Sequence, residues 1–229
     1  MNDLLIIKKK LAQAIRTLHG GGILTLTVGH VSYRLSEERI AILGHTHKIF
    51  KTLDMITEGE IIIMDLDGNT IEGKYEPPGE KYIHTEIYKK RPDIRSIVHG
   101  HPEISIAFSV AGVGIVPVYY RAGQFQREIP IMDFSGQINT KKLGQQAAES
   151  LGQSLALLLR GHGVIIVGGS IEEASVNAFA LETNARIQLY ASILGSPRPI
   201  RVEELGTHRP TSVWQYYIQR YDSMLKKIY

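Results

Sequence analysis

The order of the apolar runs constrains this chain most. Strand-type runs follow one another without a helix between them, from Ile23 to Leu43 and again at Glu60-Ile61-Ile62-Ile63-Met64. The turn Asp65-Leu66-Asp67-Gly68-Asn69 follows. Further strands are predicted at Ile94 to His99, Leu155 to Leu159 and Val164 to Val167, the last two flanking Arg160-Gly161-His162-Gly163. Helical spacing marks Leu4 to Leu18 through Leu4, Ile7, Leu11, Ile15 and Leu18, ending at Gly20-Gly21-Gly22. Other helices are expected from Glu80 to about Lys90, after Pro102, and over Lys141–Leu151, Ile171–Leu194 and Val213–Lys227. Runs of strands with helices only at intervals favour an α/β chain with a mainly antiparallel sheet and helices on its faces, over a doubly wound parallel sheet. With no internal repeat, low-complexity tract or linker, residues 1–229 read as one domain.

Composition excludes several classes. The hydrophobic fraction is 43% and the charged fraction 21%, ordinary for a globular protein. The net charge is only +3, and the basic groups Lys8-Lys9-Lys10, Lys89-Lys90-Arg91 and Lys226-Lys227 are short and scattered. No aromatic residues interleave with them, so no nucleic-acid track is expected. There is no cysteine, which removes disulfides, zinc ribbons, iron–sulfur clusters and thiol nucleophiles. Met1 to Lys10 places its apolar run before its lysines, the reverse of a secretory signal. The longest uncharged stretch, between Glu103 and Arg121, is broken by Gly112, Gly114 and Pro117. It is shorter than the roughly 20 residues a membrane helix needs. A soluble, cytoplasmic protein with no membrane contact is expected.

His99-Gly100-His101 is the sharpest chemical feature. Residues two apart in an extended chain share a face, so both imidazoles can reach one point at the strand end that Pro102 marks. His162 sits between two glycines at the break of another apolar strand. Three imidazoles with an open fourth position describe a catalytic zinc-type site, and the same set suits manganese, iron or cobalt. A cupin would need a glutamate a few residues further on, whereas Glu103 is two residues after His101, where a helix begins. His45-Thr46-His47 is a second pair, read as an exposed loop or as reaching a substrate. His84, one helical turn after Glu80, is read as a packing or capping histidine, and His19 as a charge at a helix C-terminus.

These pieces together resemble the class II aldolase/adducin family over roughly residues 5–200. Gly29-His30-Val31-Ser32-Tyr33-Arg34, Asp65 to Asn69, and Glu80 to His84 running into Arg91-Pro92-Asp93 and Ile97-Val98-His99-Gly100-His101-Pro102 carry the likeness. Leu158 to Val164, Gly168 and Glu172-Glu173-Ala174 complete it. The resemblance implies a three-layer αβα fold with a central, mainly antiparallel sheet. It implies His99, His101 and His162 as ligands of a divalent metal, zinc foremost. It also implies Glu80 as catalytic acid/base and a homotetramer with sites near subunit interfaces. Tyr120 is a candidate second acid, with Tyr216 or Tyr217 as alternatives.

Departures from the family's phosphate-handling members concern the substrate. They carry Gly-Asn-x-Ser, Pro-Ser-Ser-Glu and a Thr-Pro-x-Gly loop where this chain has Gly29-His30-Val31-Ser32, Pro77-Pro78-Gly79-Glu80 and Ile42-Leu43-Gly44-His45. An asparagine and two hydroxyls suited to phosphate are replaced, and proline removes a backbone donor. Gly-His-x-Ser occurs in family decarboxylases acting on aromatic or ring-opened carboxylic acids. The expectation is a metal-dependent carbon–carbon lyase for a small unphosphorylated hydroxy- or oxo-acid. Gly29, His30, His47 and Arg160 would bind the substrate, although Arg160 equally suits a structural partner. A sugar-phosphate aldolase or epimerase, an iron-dependent oxygenase and a non-catalytic adducin-like interaction domain are the alternatives.

Overall fold

A computed structural model describes residues 3–45, 51–205 and 210–222. Among the described residues eight strands form one sheet. In chain order they are β1 (His30–Arg34), β2 (Arg39–Leu43), β3 (Ile61–Asp65), β4 (Thr70–Glu72), β5 (Ser96–Gly100), β6 (Ile131–Met132), β7 (Ala156–Leu159) and β8 (Gly163–Gly168). Their order across the sheet is β4-β3-β2-β1-β5-β8-β7-β6. Every pairing is antiparallel except β6 with β7. The helices are α1 (Asp3–Gly20), α2 (Lys81–Lys90), α3 (Glu103–Ala111), α4 (Lys141–Leu151), α5 (Ile171–Leu194) and α6 (Pro210–Tyr217).

The strands of the sheet's middle are buried on both faces, which is why they read as unbroken apolar runs. Alternation divides them between two cores. Val31, Ala41, Val98, Leu158, Val164 and Ile166 face α1, α3 and α5. Ile40, Ile42, Ile97, Leu157, Ile165 and Val167 face α2 and α4. The result is the three-layer αβα architecture expected of the sequence. Among the described residues no helix is long and apolar enough to cross a membrane.

Small residues set the close approaches. A Cβ at Gly168 would lie 2.6 Å from the Ala174 backbone nitrogen, so α5 sits directly on β8. A Cβ at Gly144 would lie 2.5 Å from the Tyr82 carbonyl, which fixes α4 against α2. Ser170 caps α5 by accepting from the Glu173 N–H. Several details differ from the sequence reading, the unpredicted β4 among them. Ile94 lies in a turn and β5 begins at Ser96, because the Ile94 N–H bonds to the Arg91 carbonyl. The two-residue β6 has no sequence signal of its own and exists through pairing with β7. The last helix begins at Pro210, and after Tyr217 its turns widen to π-helical over Ile218–Asp222. Its expected continuation to Lys227 lies outside the described residues.

Candidate metal and substrate site

Three glycines let the strand ends converge. Gly29, just before β1, has φ +98°, and a Cβ there would lie 2.9 Å from the His99 carbonyl. A Cβ at Gly100 would meet the Ile23 carbonyl at 2.6 Å, and one at Gly163 the Gly100 carbonyl at 2.4 Å. Register then places the side chains. His30 lies directly opposite His99 across the β1–β5 ladder, so both rings point to the α2/α4 face. Their centroids are 5.1 Å apart. His101 follows at the strand end and His162 sits in the turn entering β8. Ring centroids are 4.8 Å apart for His99–His101, 5.0 Å for His99–His162 and 5.4 Å for His101–His162.

Glu80 enters from the N-terminus of α2. Its Oε1 accepts from the Ile138 N–H at 2.8 Å. Its Oε2 lies 3.3 Å from His99 Nε2 and 3.5 Å from His162 Nε2. Burial opposes its ionisation, and positive charge carried into the cluster of facing imidazoles outweighs that and holds the carboxyl far below the usual carboxylate range.

This donor set fits a cation. The Val164 carbonyl lies 3.0 Å from His99 Nδ1 and can only accept, so in the neutral ring the proton sits on Nδ1 and Nε2 keeps its lone pair. That Nε2 is fully buried and makes no hydrogen bond. It faces the Glu80 carboxylate, and two electron-rich atoms in such a place need a positive charge between them. One ring nitrogen from each of His99, His101 and His162 lies within 4.8 Å of the others, and His30, Glu80 and His99 form an overlapping group of the same span. Burial, with repulsion from His99 and His162, pushes His101 down to about 3 and keeps its lone pair available.

A cleft of about 220 Å3 opens beside this cluster, lined by Gly29, His30, Leu43, His45, Pro78, Gly79, Glu80, Gln137, His101 and His162. Its volume suits a small ligand. His30 is held at the cleft wall by a buried chain. Its Nδ1 lies 2.6 Å from His84 Nε2, and His84 Nδ1 lies 2.6 Å from Ser32 Oγ. Ser32 Oγ lies 2.8 Å from the Tyr88 hydroxyl. Burial foremost, then charge repulsion from His84 and His99, lowers His30 well below the ordinary histidine range. Burial, with repulsion from His99, pushes His84 down to about 3.

The structure thus brings together Glu80, Gly29, His30, His99, His101 and His162. It leaves two predicted residues elsewhere. Arg160 is half-exposed and pairs with Asp133, so its guanidinium is engaged at the surface rather than in the cleft. Tyr120 lies in a short 3-10 turn (Tyr120–Ala122), 61% exposed and outside the cleft wall of its own chain. His47 lies outside the described residues. His45, read with it as an exposed loop or as reaching a substrate, lines the cleft. Ile138 and Gln137 gave no sequence signal. The role of His84 was legible in part: residues 80, 84 and 88 lie one turn apart on α2, and 30 and 32 share a strand face.

Residues 9–189 match the family model described as class II aldolase and adducin N-terminal domain. The 3,4-dihydroxyphthalate decarboxylase of Arthrobacter keyseri is 29% identical over 201 residues, covering 82% of this chain and 79% of its own. The L-fuculose phosphate aldolase of Methanocaldococcus jannaschii is 30% identical over 182 residues, covering 80% of this chain and 95% of its own. Among solved structures, an aldolase II superfamily protein from Pseudomonas syringae shares the fold with a TM-score of 0.83, at 22% identity over 98% of this chain and 95% of that one.

Proposed function

The chain belongs to the class II aldolase and adducin family, and from that premise we propose that it is a metal-dependent lyase breaking a carbon–carbon bond of a small, unphosphorylated hydroxy- or oxo-carboxylic acid. The observation that carries this reading is the unpartnered, buried lone pair of His99 facing Glu80 at the centre of a three-histidine cluster. A divalent cation held by His99, His101 and His162, zinc foremost, supplies a Lewis acid that stabilises negative charge developing on a substrate oxygen. Glu80 moves the proton. Its Oε1 is anchored on the Ile138 N–H, so Oε2 is the atom that takes a proton from the substrate side or returns one. Gly29 opens the cleft by its lack of a side chain, and His30, neutral and aimed into it, meets the substrate's carboxylate.

Decarboxylation is favoured over aldol cleavage of a sugar phosphate. Pro78, Gly79 and His30 line the cleft where the family's phosphate-handling members carry two serines and an asparagine, which leaves Gln137 as the amide side chain in the lining. The similarity to a 3,4-dihydroxyphthalate decarboxylase supports the same choice. We further propose that the protein works as a homo-oligomer, in keeping with its family. Tyr120, exposed on its own chain, is then available to a neighbouring copy's cleft as the second acid.

Two measurements test the reading. Metal analysis of the purified protein should find about one divalent ion per chain, lost in His99→Ala and His162→Ala; equal metal in all three overturns it. Carbon dioxide trapping from a panel of hydroxylated aromatic and oxo-carboxylic acids should identify a released equivalent. Aldehyde release without carbon dioxide would assign aldol cleavage instead.

A further inference from the structure

The buried chain behind His30 has a direction. Tyr88 is 1% exposed and its hydroxyl has two oxygens in reach, Ser32 Oγ at 2.8 Å and the Arg95 carbonyl at 3.4 Å. The Arg95 carbonyl already accepts from the Arg34 N–H at 2.8 Å. At 3.4 Å that carbonyl is beyond the usual O–H···O range, whereas Ser32 Oγ at 2.8 Å is within it, so the tyrosine proton goes to Ser32. A serine hydroxyl has a single proton, and with its oxygen accepting from Tyr88 that proton goes to His84 Nδ1 at 2.6 Å. His84 then carries its own proton on Nε2 and donates it to His30 Nδ1 at 2.6 Å. His30 is left with its proton on Nε2, the nitrogen that the chain does not engage, on a ring that lines the cleft.

We propose that Tyr88, Ser32 and His84 are positioning residues that fix His30 in the Nε2-protonated tautomer and so present a neutral hydrogen-bond donor to an anionic substrate oxygen. None of the three touches the cleft; each acts through the next. The arrangement answers a problem the site poses. A charged imidazolium beside the histidine cluster would repel the cation it holds, whereas a neutral ring recognises a carboxylate only if the proton is on the outward nitrogen. In the opposite tautomer His30 would meet a carboxylate lone pair with its own. Arg34 closes the rear of the chain, with its guanidinium 4.6 Å above the Tyr88 ring and donating to the Ile94, Tyr88 and Arg91 carbonyls. The tyrosine is thereby held with its hydroxyl close to Ser32 and farther from the Arg95 carbonyl.

This inference rests on the reading of His30 as a substrate-facing group, but its test does not need turnover. Two-bond proton–nitrogen correlation of 15N-histidine-labelled, zinc-loaded protein reads the tautomer of each ring directly near neutral pH. His30 and His84 should both give a pyrrole-type Nε2 and a pyridine-type Nδ1. Tyr88→Phe keeps the ring and removes the directing proton, and should convert both into averaged signals of the two tautomers. Ser32→Ala should do the same, which keeps the question answerable if one variant fails to fold. His30 found protonated on Nδ1 in the parent protein, or an unchanged His30 signature in a folded Tyr88→Phe or Ser32→Ala variant, overturns the proposal. Absence of lyase activity with the tautomers as stated would instead count against the proposed function alone.

Discussion

At the scale of single residues, the site depends on Glu80 and Gly29 in different ways. Glu80 is the only carboxylate with an oxygen within 3.5 Å of the ligand histidines among the described residues. Glu80→Gln keeps the acceptor for the Ile138 N–H and removes the proton carrier. Turnover should fall by roughly 10²–10⁴-fold, the usual contribution of a general acid or base, while bound metal stays near the parent level. Gly29→Ala acts through shape. At φ +98° a Cβ is strained, and it would lie 2.7 Å from Leu24 Cδ2 and 2.9 Å from the His99 carbonyl. We expect a loss of about 1–3 kcal/mol in urea unfolding, with weakened metal binding because the strain falls on the ligand strand. The sequence named both residues, since a glycine before a strand and a glutamate opening a helix are local features. It could not settle Arg160, whose partner Asp133 comes from a segment whose placement depends on β6 pairing with β7.

At the scale of elements, the His99-Gly100-His101 strand end is held from behind by α5. Glu182 accepts from the backbone N–H groups of Ile104 and Ser105 and from the Ser105 hydroxyl, all within 3.0 Å. It caps α3, whose own first residues supply no side-chain cap. A buried carboxylate facing a helix N-terminus meets both unpaired donors and the helix dipole. Glu182→Ala should cost about 1–3 kcal/mol in chemical unfolding, with metal affinity falling as the His101–Pro102 junction loosens; an unchanged midpoint would remove α5 from the site's support. Asn184 and Gln188 extend the same service to the segment before Tyr120, bonding Val116, Val118, Tyr119 and Gly114. The bounds of α4 and α5 agree with the periodic spacing, because their ends are marked by local signals such as Thr140, Ser170 and Gly195. The buried polar row of α5 carries no such mark, since what it binds lies far away in the chain.

At the scale of the whole molecule, the buried histidines make stability depend on pH. An unfolded histidine titrates near 6.5, whereas burial holds His84 down to about 3. Between these values the unfolded chain binds a proton that the folded chain refuses. The stability from keeping His84 neutral is therefore complete above about pH 6.5 and is lost as pH falls toward 3. Each unit of the gap corresponds to about 1.4 kcal/mol. The urea midpoint of metal-free protein should drop steadily from pH 7 to pH 5, and His84→Gln should flatten that slope; equal slopes would place the acid sensitivity elsewhere. The sequence by itself determined the kinds of elements, the alternation that splits the sheet into two apolar faces, and the three histidines and one glutamate able to share an ion. These follow from spacing and local sterics, which act over a few residues. Only the tertiary structure decided that His30 stands opposite His99, that Ile138 fixes Glu80, that Arg160 turns outward, and that Tyr88 sits behind His84. Those pairings join residues tens of positions apart, and strand register, helix docking and glycine-permitted contact select them only when the whole core closes.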